Sequence, residues 1–171
     1  MAEHALGIEI VTPEHSLFRG GGTALVSSTS EGDLTIMADH AEIIGDVVSG
    51  TVRIDPVDGD PISIVVHGGF LQVTTGPGAA AGLVDGVSAT DRSTRATILA
   101  GIAERSSEID IPRAEAAKAR AEAHLAELRS VVGRPSDAEE SRDTYVELAE
   151  AEAALARAEM RLATASPIGM H

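Results

Sequence analysis

No cysteine occurs in this chain, so structural disulfides and thiolate metal sites are excluded, a composition that fits a reducing compartment. Aromatic side chains are nearly as scarce, with no Trp, one Tyr and two Phe. Any core must therefore be built from Val, Ile, Leu and Ala, and base stacking has almost nothing to work with. Basic residues are outnumbered, 13 Lys and Arg against 27 Asp and Glu, and the net charge of −14 repels phosphate backbones and anionic lipid. Nucleic acid is set aside as a partner. No run approaches the roughly 18 apolar residues of a spanning helix, so no direct lipid insertion is expected. The start, Met1 to His4, shows neither a basic segment nor an apolar one after it, and the reading is a soluble, cytoplasmic chain.

Catalytic and metal signatures are missing too. The histidines, His4, His15, His40, His67, His124 and His171, form no pair at metal-ligand spacing, so no metal is expected. Neither Gly-x-Ser-x-Gly nor Gly-x-x-x-x-Gly-Lys occurs, so no acyl-transfer nucleophile and no phosphate cradle of that type can be assigned. Acidic pairs are plentiful, as expected of solvated surface in so acidic a chain. Nothing argues for an enzyme.

What is present falls into two halves. With 171 residues and 43% hydrophobic content, the chain is long enough for a folded core with an appendage. Leu6, Ile8 and Ile10 alternate with Gly7 and Glu9, the period of a half-buried strand, and Thr12-Pro13-Glu14 ends it. Short apolar segments then recur up to Ala100. Between them stand turn signals at Gly20-Gly21-Gly22, Glu31-Gly32-Asp33, Asp58-Gly59-Asp60 and Gly68-Gly69. This pattern predicts a small β-sandwich, with a hairpin pairing Val52 and Ile54 against Ile62, Ile64 and Val66. Gly76 to Arg95 breaks the alternation and reads as a long, mobile loop within a hairpin.

From Glu104 to Ala114 the character changes. Asp110 is placed to cap a helix through the Arg113 backbone N–H, and Pro112 sits in the first turn, so a helix starts at Ile111. Its expected buried face is Ala114, Ala117, Ala121, Leu125 and Leu128. Val131 to Pro135 stops it, and Ser136-Asp137-Ala138-Glu139 reads as a capping box for a second helix. That helix faces inward with Leu148, Ala151, Leu155, Ala158 and Leu162 and ends at Ser166-Pro167. The fold class is α+β, an N-terminal β-sandwich over 1–105 and a C-terminal antiparallel two-helix hairpin over 106–171. A seam rich in Ala buries few CH₂ groups, each contributing about 0.8 kcal/mol. The hairpin closes weakly, which suits a switch; a permanently folded alanine coil is equally compatible with the spacing.

Several stretches in this order are similar to the epsilon subunit of bacterial F-type ATP synthase. They are Val11-Thr12-Pro13-Glu14, Ser30-Glu31-Gly32-Asp33-Leu34-Thr35-Ile36, His40-Ala41, His67-Gly68-Gly69-Phe70-Leu71-Gln72-Val73 and Ile109-Asp110-Ile111-Pro112-Arg113-Ala114. The resemblance implies a non-catalytic rotor subunit on the cytoplasmic face of the cell membrane. Its sandwich would bind the gamma subunit and the c-ring, and its helices would reach toward the alpha and beta subunits and inhibit ATP hydrolysis. The family's c-ring loops correspond to Glu31, Gly32, Asp33, His40 and Ala41, although solvated turns remain the alternative. Some members bind ATP through Ile-Asp-x-x-Arg-Ala, which stands here as Ile109, Asp110, Arg113 and Ala114, with further matches at Glu104, Arg120, Arg157 and Arg161. ATP would thus be a regulatory ligand, and no cofactor is required. The alternatives are a plain helix cap with ion-paired arginines, or a stand-alone ATP-sensing module. Met37-Ala38-Asp39 replaces the family's Leu-Pro-Gly, Glu42 replaces a proline, and Gly76 to Arg95 is an insertion. The segment from Arg120 to Arg157 is also longer, by about two heptads.

Overall fold

In a computed structural model, residues 5–131 and 138–165 are described. The chain divides into two compact units, Met1–Glu108 and Ile109–His171. The division falls just past the expected 105/106 joint because a 3₁₀ turn, Ser106–Glu108, stays against the sheet of the first unit.

The first unit holds β1 (Leu6–Val11), β2 (Ser16–Thr29), β3 (Gly32–Ile36), β4 (Ile43–Pro56), β5 (Ile62–Pro77), β6 (Arg92–Ala100) and β7 (Ala103–Arg105). They form a seven-stranded sheet in the order β1-β6-β5-β4-β2-β3, with β7 on β5. Because β1 also pairs with β2, the sheet returns on itself and its inner faces enclose one core. Only β1 and β6 run parallel; the remaining pairs are antiparallel. Leu6, Ile8, Ile10, Leu25, Ile36, Val52, Ile54, Ile64, Val66, Leu71 and Ile98 fill that core, all aliphatic as the composition requires.

Strands are fewer and longer than the short apolar segments suggest. The hairpin across Asp55–Asp60 forms as expected, with Ile54 opposite Ile62 and Val52 opposite Ile64. Gly20-Gly21-Gly22 does not turn the chain, however, but runs within β2, and Gly68-Gly69 runs within β5. A Cβ on Gly22 would stand 2.4 Å from Ile8 Cδ1, and one on Gly69 would stand 2.3 Å from the Leu99 carbonyl oxygen. These glycines serve close approach between strands.

The reading of Gly76 to Arg95 as a mobile loop also needs correction. Gly76 and Pro77 still pair with Ser93 and Arg92, and the residues between fold into turns that bury Ala80, Leu83 and Val87. The Ala80 N–H donates to buried Ser93 Oγ at 2.9 Å, and Gly78 N–H to the Asp91 carbonyl at 2.9 Å. Ser88 N–H donates to Asp91 Oδ2 at 2.8 Å and, with the Ser88 hydroxyl, lowers the Asp91 pKa. The packing is reciprocal: Gly7 has no side chain, and a Cβ there would meet Ala80 and Leu83 at 2.9 Å.

The second unit is α1 (Ile111–Val131) and α2 (Ala138–Ala165). The expected seam is the buried face: Ala114, Ala121, Leu125, Leu128, Ala151 and Ala158 are buried, while Ala117, Leu148, Leu155 and Leu162 are half-buried. Lys118 Nζ lies 3.1 Å from Glu159 Oε1 and Arg129 Nη2 lies 3.2 Å from Glu152 Oε1, so ion pairs across the helices mark an antiparallel register. The helix stop at Gly133-Arg134-Pro135, the Ser136 cap and the Ser166-Pro167 end lie outside the described residues.

Candidate functional site

Two regions carry the residues singled out from the sequence. In the first, the tight turn between β2 and β3 holds Glu31, Gly32 and Asp33 in solvent. Gly32 takes φ 125°, a conformation other residues rarely reach. Thr29 Oγ1 donates to the Gly32 carbonyl at 2.8 Å and Ser28 Oγ to Asp33 Oδ1 at 2.7 Å. Asp46 on β4 accepts both the N–H and the hydroxyl of Ser30, at 3.1 and 2.9 Å. A groove of about 400 Å³ runs between this turn and Ile43 to Asp46.

His40 and Ala41 stand just before β4, on the connection from β3. The His40 carbonyl accepts the Thr75 hydroxyl at 2.7 Å, and its ring Nδ1 lies 2.7 Å from the Ala41 carbonyl. Asp39 N–H donates to the buried Thr94 hydroxyl at 2.8 Å. Asp39 itself has φ 63°, in the left-handed region. It occupies the place where the resemblance expects glycine, and an Asp tolerates that conformation better than most side chains. The loop thus keeps a glycine-like bend despite the substituted motif. Both loops border the start of β4, so the fold brings Glu31 to Asp33 and His40 to Ala41 to one end of that strand.

The second region begins at Asp110, whose Oδ1 accepts the Arg113 N–H at 3.0 Å, the expected cap. Each helical residue turns the side chain by about 100°, which places Lys118 and Arg129 on one flank of α1 and Arg113 and Arg120 on the other. On α2, Glu159 and Glu152 meet Lys118 and Arg129. Arg157 and Arg161 are displaced toward the opposite flank, which the hairpin shares with Arg113 and Arg120. The register set by Lys118–Glu159 puts Arg120 level with Arg157 and within about one turn of Arg161.

By that register and the angular spacing, these arginines fall on one side of the hairpin. Arg113 and Arg120 are exposed, and Arg157 and Arg161 half-buried. Among the described residues, Arg113, Arg120 and Arg157 make no ion pair. The i, i+4 pair on α1 is Lys118 with Glu122. Ala114 is buried and Ile109 half-buried. Glu104 lies on β7 of the first unit, its Oε1 3.8 Å from Nε2 of His67, whose side chain is 5% exposed.

Residues 5–76 match the ATP synthase, Delta/Epsilon chain, beta-sandwich domain, and residues 107–166 match the ATP synthase, Delta/Epsilon chain, long alpha-helix domain. The chain belongs to the ATP synthase epsilon chain family. It is 36% identical to the ATP synthase epsilon chain of Pelotomaculum thermopropionicum over 126 residues, covering 74% of this chain and 80% of that one. With the ATP synthase epsilon chain of Rhodococcus erythropolis it shares 38% over 120 residues, 70% and 80% of the two chains. A chain in the solved mitochondrial ATP synthase of Euglena gracilis has the same fold, at TM-score 0.60 and 17% identity over 91% of this chain and 78% of that one.

Both epsilon-family domains are thus present in order, and residues 77–106 lie between them. That interval contains the folded segment after β5 together with β6 and β7. Sequence reasoning missed one surface of this epsilon-family sandwich: Phe70 pairs with Leu99, and Leu99 with Val11, on the outer face of β5, β6 and β1. Phe70 is 62% exposed, Leu99 49%, and Ile44 on neighbouring β4 is 75% exposed. Alternation alone could not find this patch, because apolar residues occupy both faces of these strands. Among the described residues, no helix is long and apolar enough to cross a membrane.

Proposed function

We propose that this chain is a non-catalytic central-stalk subunit of a proton-translocating F-type ATP synthase, held at the cytoplasmic face of the cell membrane through the complex. The observation that carries this reading is the presence of both epsilon-family domains, in order, in two separately cored units. The sandwich would join gamma to the c-ring. The row of Phe70, Leu99 and Ile44 offers apolar area for gamma, and the Glu31 turn and His40 loop offer polar contacts for the ring. The helices would restrain ATP hydrolysis by reaching toward alpha and beta, as a lightly packed alanine seam permits.

The test is ATPase activity of the assembled complex containing either the full chain or one ending at Glu108. Hydrolysis is expected to rise severalfold on truncation while assembly is retained; unchanged hydrolysis would remove the inhibitory role. Copurification with membrane-bound ATPase subunits separates this reading from a stand-alone ATP sensor, and turnover by the isolated chain would contradict a non-catalytic role.

ATP as a regulatory ligand is favoured by the shared flank of Arg113, Arg120, Arg157 and Arg161, since converging guanidinium groups recognise phosphate bidentately. Ile109, Asp110 and Ala114 would shape the adjoining helix start. Bound ligand would hold the hairpin closed by mass action. Isothermal titration should show ATP binding to the isolated chain, weakened at least tenfold by Arg113→Ala. No heat with the unaltered chain would leave Asp110 as a cap alone.

A further inference from the structure

The folded insertion does more than cover β1. Leu83, Val84 and Asp85 face the β4–β5 hairpin tip across a groove of about 600 Å³. Phe18, Gly20 and Gly21 of β2 line it as well. Apolar side chains stand among its walls: Val57 is 58% exposed, and a Cβ on Gly21 would touch Val57 Cγ2 at 3.2 Å and Val84 Cγ2 at 3.4 Å. Its rim is acidic, with exposed Asp58, Asp60 and Asp85. Among the described residues these three carboxylates have no ion pair, whereas Arg19, the cation of the lining, lies 3.8 Å from Glu9. Val57 and Val84 line a second hollow together with Met37 and Ala38.

We propose that this groove docks a loop of a neighbouring subunit in the assembled complex, one that carries a basic side chain beside an apolar one. The apolar side chain would enter between Val57 and Val84, and the basic one would meet Asp58, Asp60 and Asp85. A second copy of this chain is disfavoured, since its net charge of −14 would oppose the same acidic rim. The surface depends on the insertion, which lies outside both family matches. It is a contact particular to chains that carry such a segment, and it rests on the synthase reading above.

The absence of cysteine makes a clean test available. Val57→Cys introduces a single thiol on the groove wall, and its reaction with a maleimide is followed in the isolated chain and in the purified complex. Labelling is expected to slow at least tenfold on assembly. A second variant with Asp58→Asn, Asp60→Asn and Asp85→Asn together should bind complex stripped of this chain at least threefold more weakly at low salt, with the difference vanishing at high salt. Equal labelling in both states, or protection that appears only when the isolated chain self-associates, would overturn the proposal while leaving the synthase reading intact. Failure of the unaltered chain to copurify with the complex would overturn both.

Discussion

At Gly69 the nearest obstacle to a side chain is a backbone oxygen, that of Leu99, 2.3 Å from where a Cβ would stand. A side chain in the way could rotate aside, but a carbonyl within a strand pair cannot without breaking the ladder. Gly69→Ala is therefore expected to destabilise the sandwich by about 3 kcal/mol, seen in calorimetry as a fall in melting temperature of more than about 10 °C. At Gly45 nothing lies within 4 Å, and Gly45→Ala should leave the transition within about 3 °C of the original. Equal drops at both positions would show that strand propensity, and not close approach, dictates these glycines. Nothing in the local sequence distinguishes the two, because the obstacle at Gly69 comes from thirty residues further along the chain. Asp110 is the contrary case: its cap involves Arg113, three residues away, and was legible from the sequence.

The helical hairpin is an element whose cohesion is partly electrostatic. The Lys118 pKa is raised above its usual 10.5, first by the hydrogen bond to Glu159 and then by the charges of Glu159 and Glu122. A lysine pKa raised on folding contributes stability that is complete below the unfolded value and is lost as pH rises through the folded one. Amide exchange in α1 and α2 should therefore be insensitive to loss of this pair's charge up to about pH 10 and show loosening above about pH 10.5, once intrinsic exchange rates are allowed for. Lys118→Gln should abolish that alkaline step. A step that persists in the variant would assign it elsewhere. The inserted loop has the opposite dependence: the Asp91 pKa is lowered from 3.8, so its hold on Ser88 is present above that value and is lost as pH falls through the lowered one. Helical periodicity made the seam readable, since each face is set by residues three and four apart. The loop was not readable, because Ala80, Leu83 and Val87 resemble any small apolar residues until β1 supplies a glycine surface for them.

For the whole molecule, the informative surface is the one left uncovered. Phe70, Leu99 and Ile44 expose apolar area that the chain's own core does not use. Aromatic side chains of this kind dominate the energetics of the interfaces they enter. Phe70→Asp is expected to reduce copurification with the complex by roughly thirtyfold, about 2 kcal/mol, while the melting temperature of the isolated chain stays within about 3 °C. Retained copurification would move the gamma contact to another face.

The sequence by itself determined the class and order of the two units, the start of α1, the seam of each helix and the turns at Gly32 and Gly59, because all of these depend on neighbours within a few residues. Tertiary structure alone decided how apolar segments joined into long strands and closed through β1 and β2, which apolar side chains face outward, and that the insertion packs. It also decided the register of the two helices, through Lys118 with Glu159 and Arg129 with Glu152. Those outcomes rest on contacts between distant segments, where shape and register are settled only once the chain has folded.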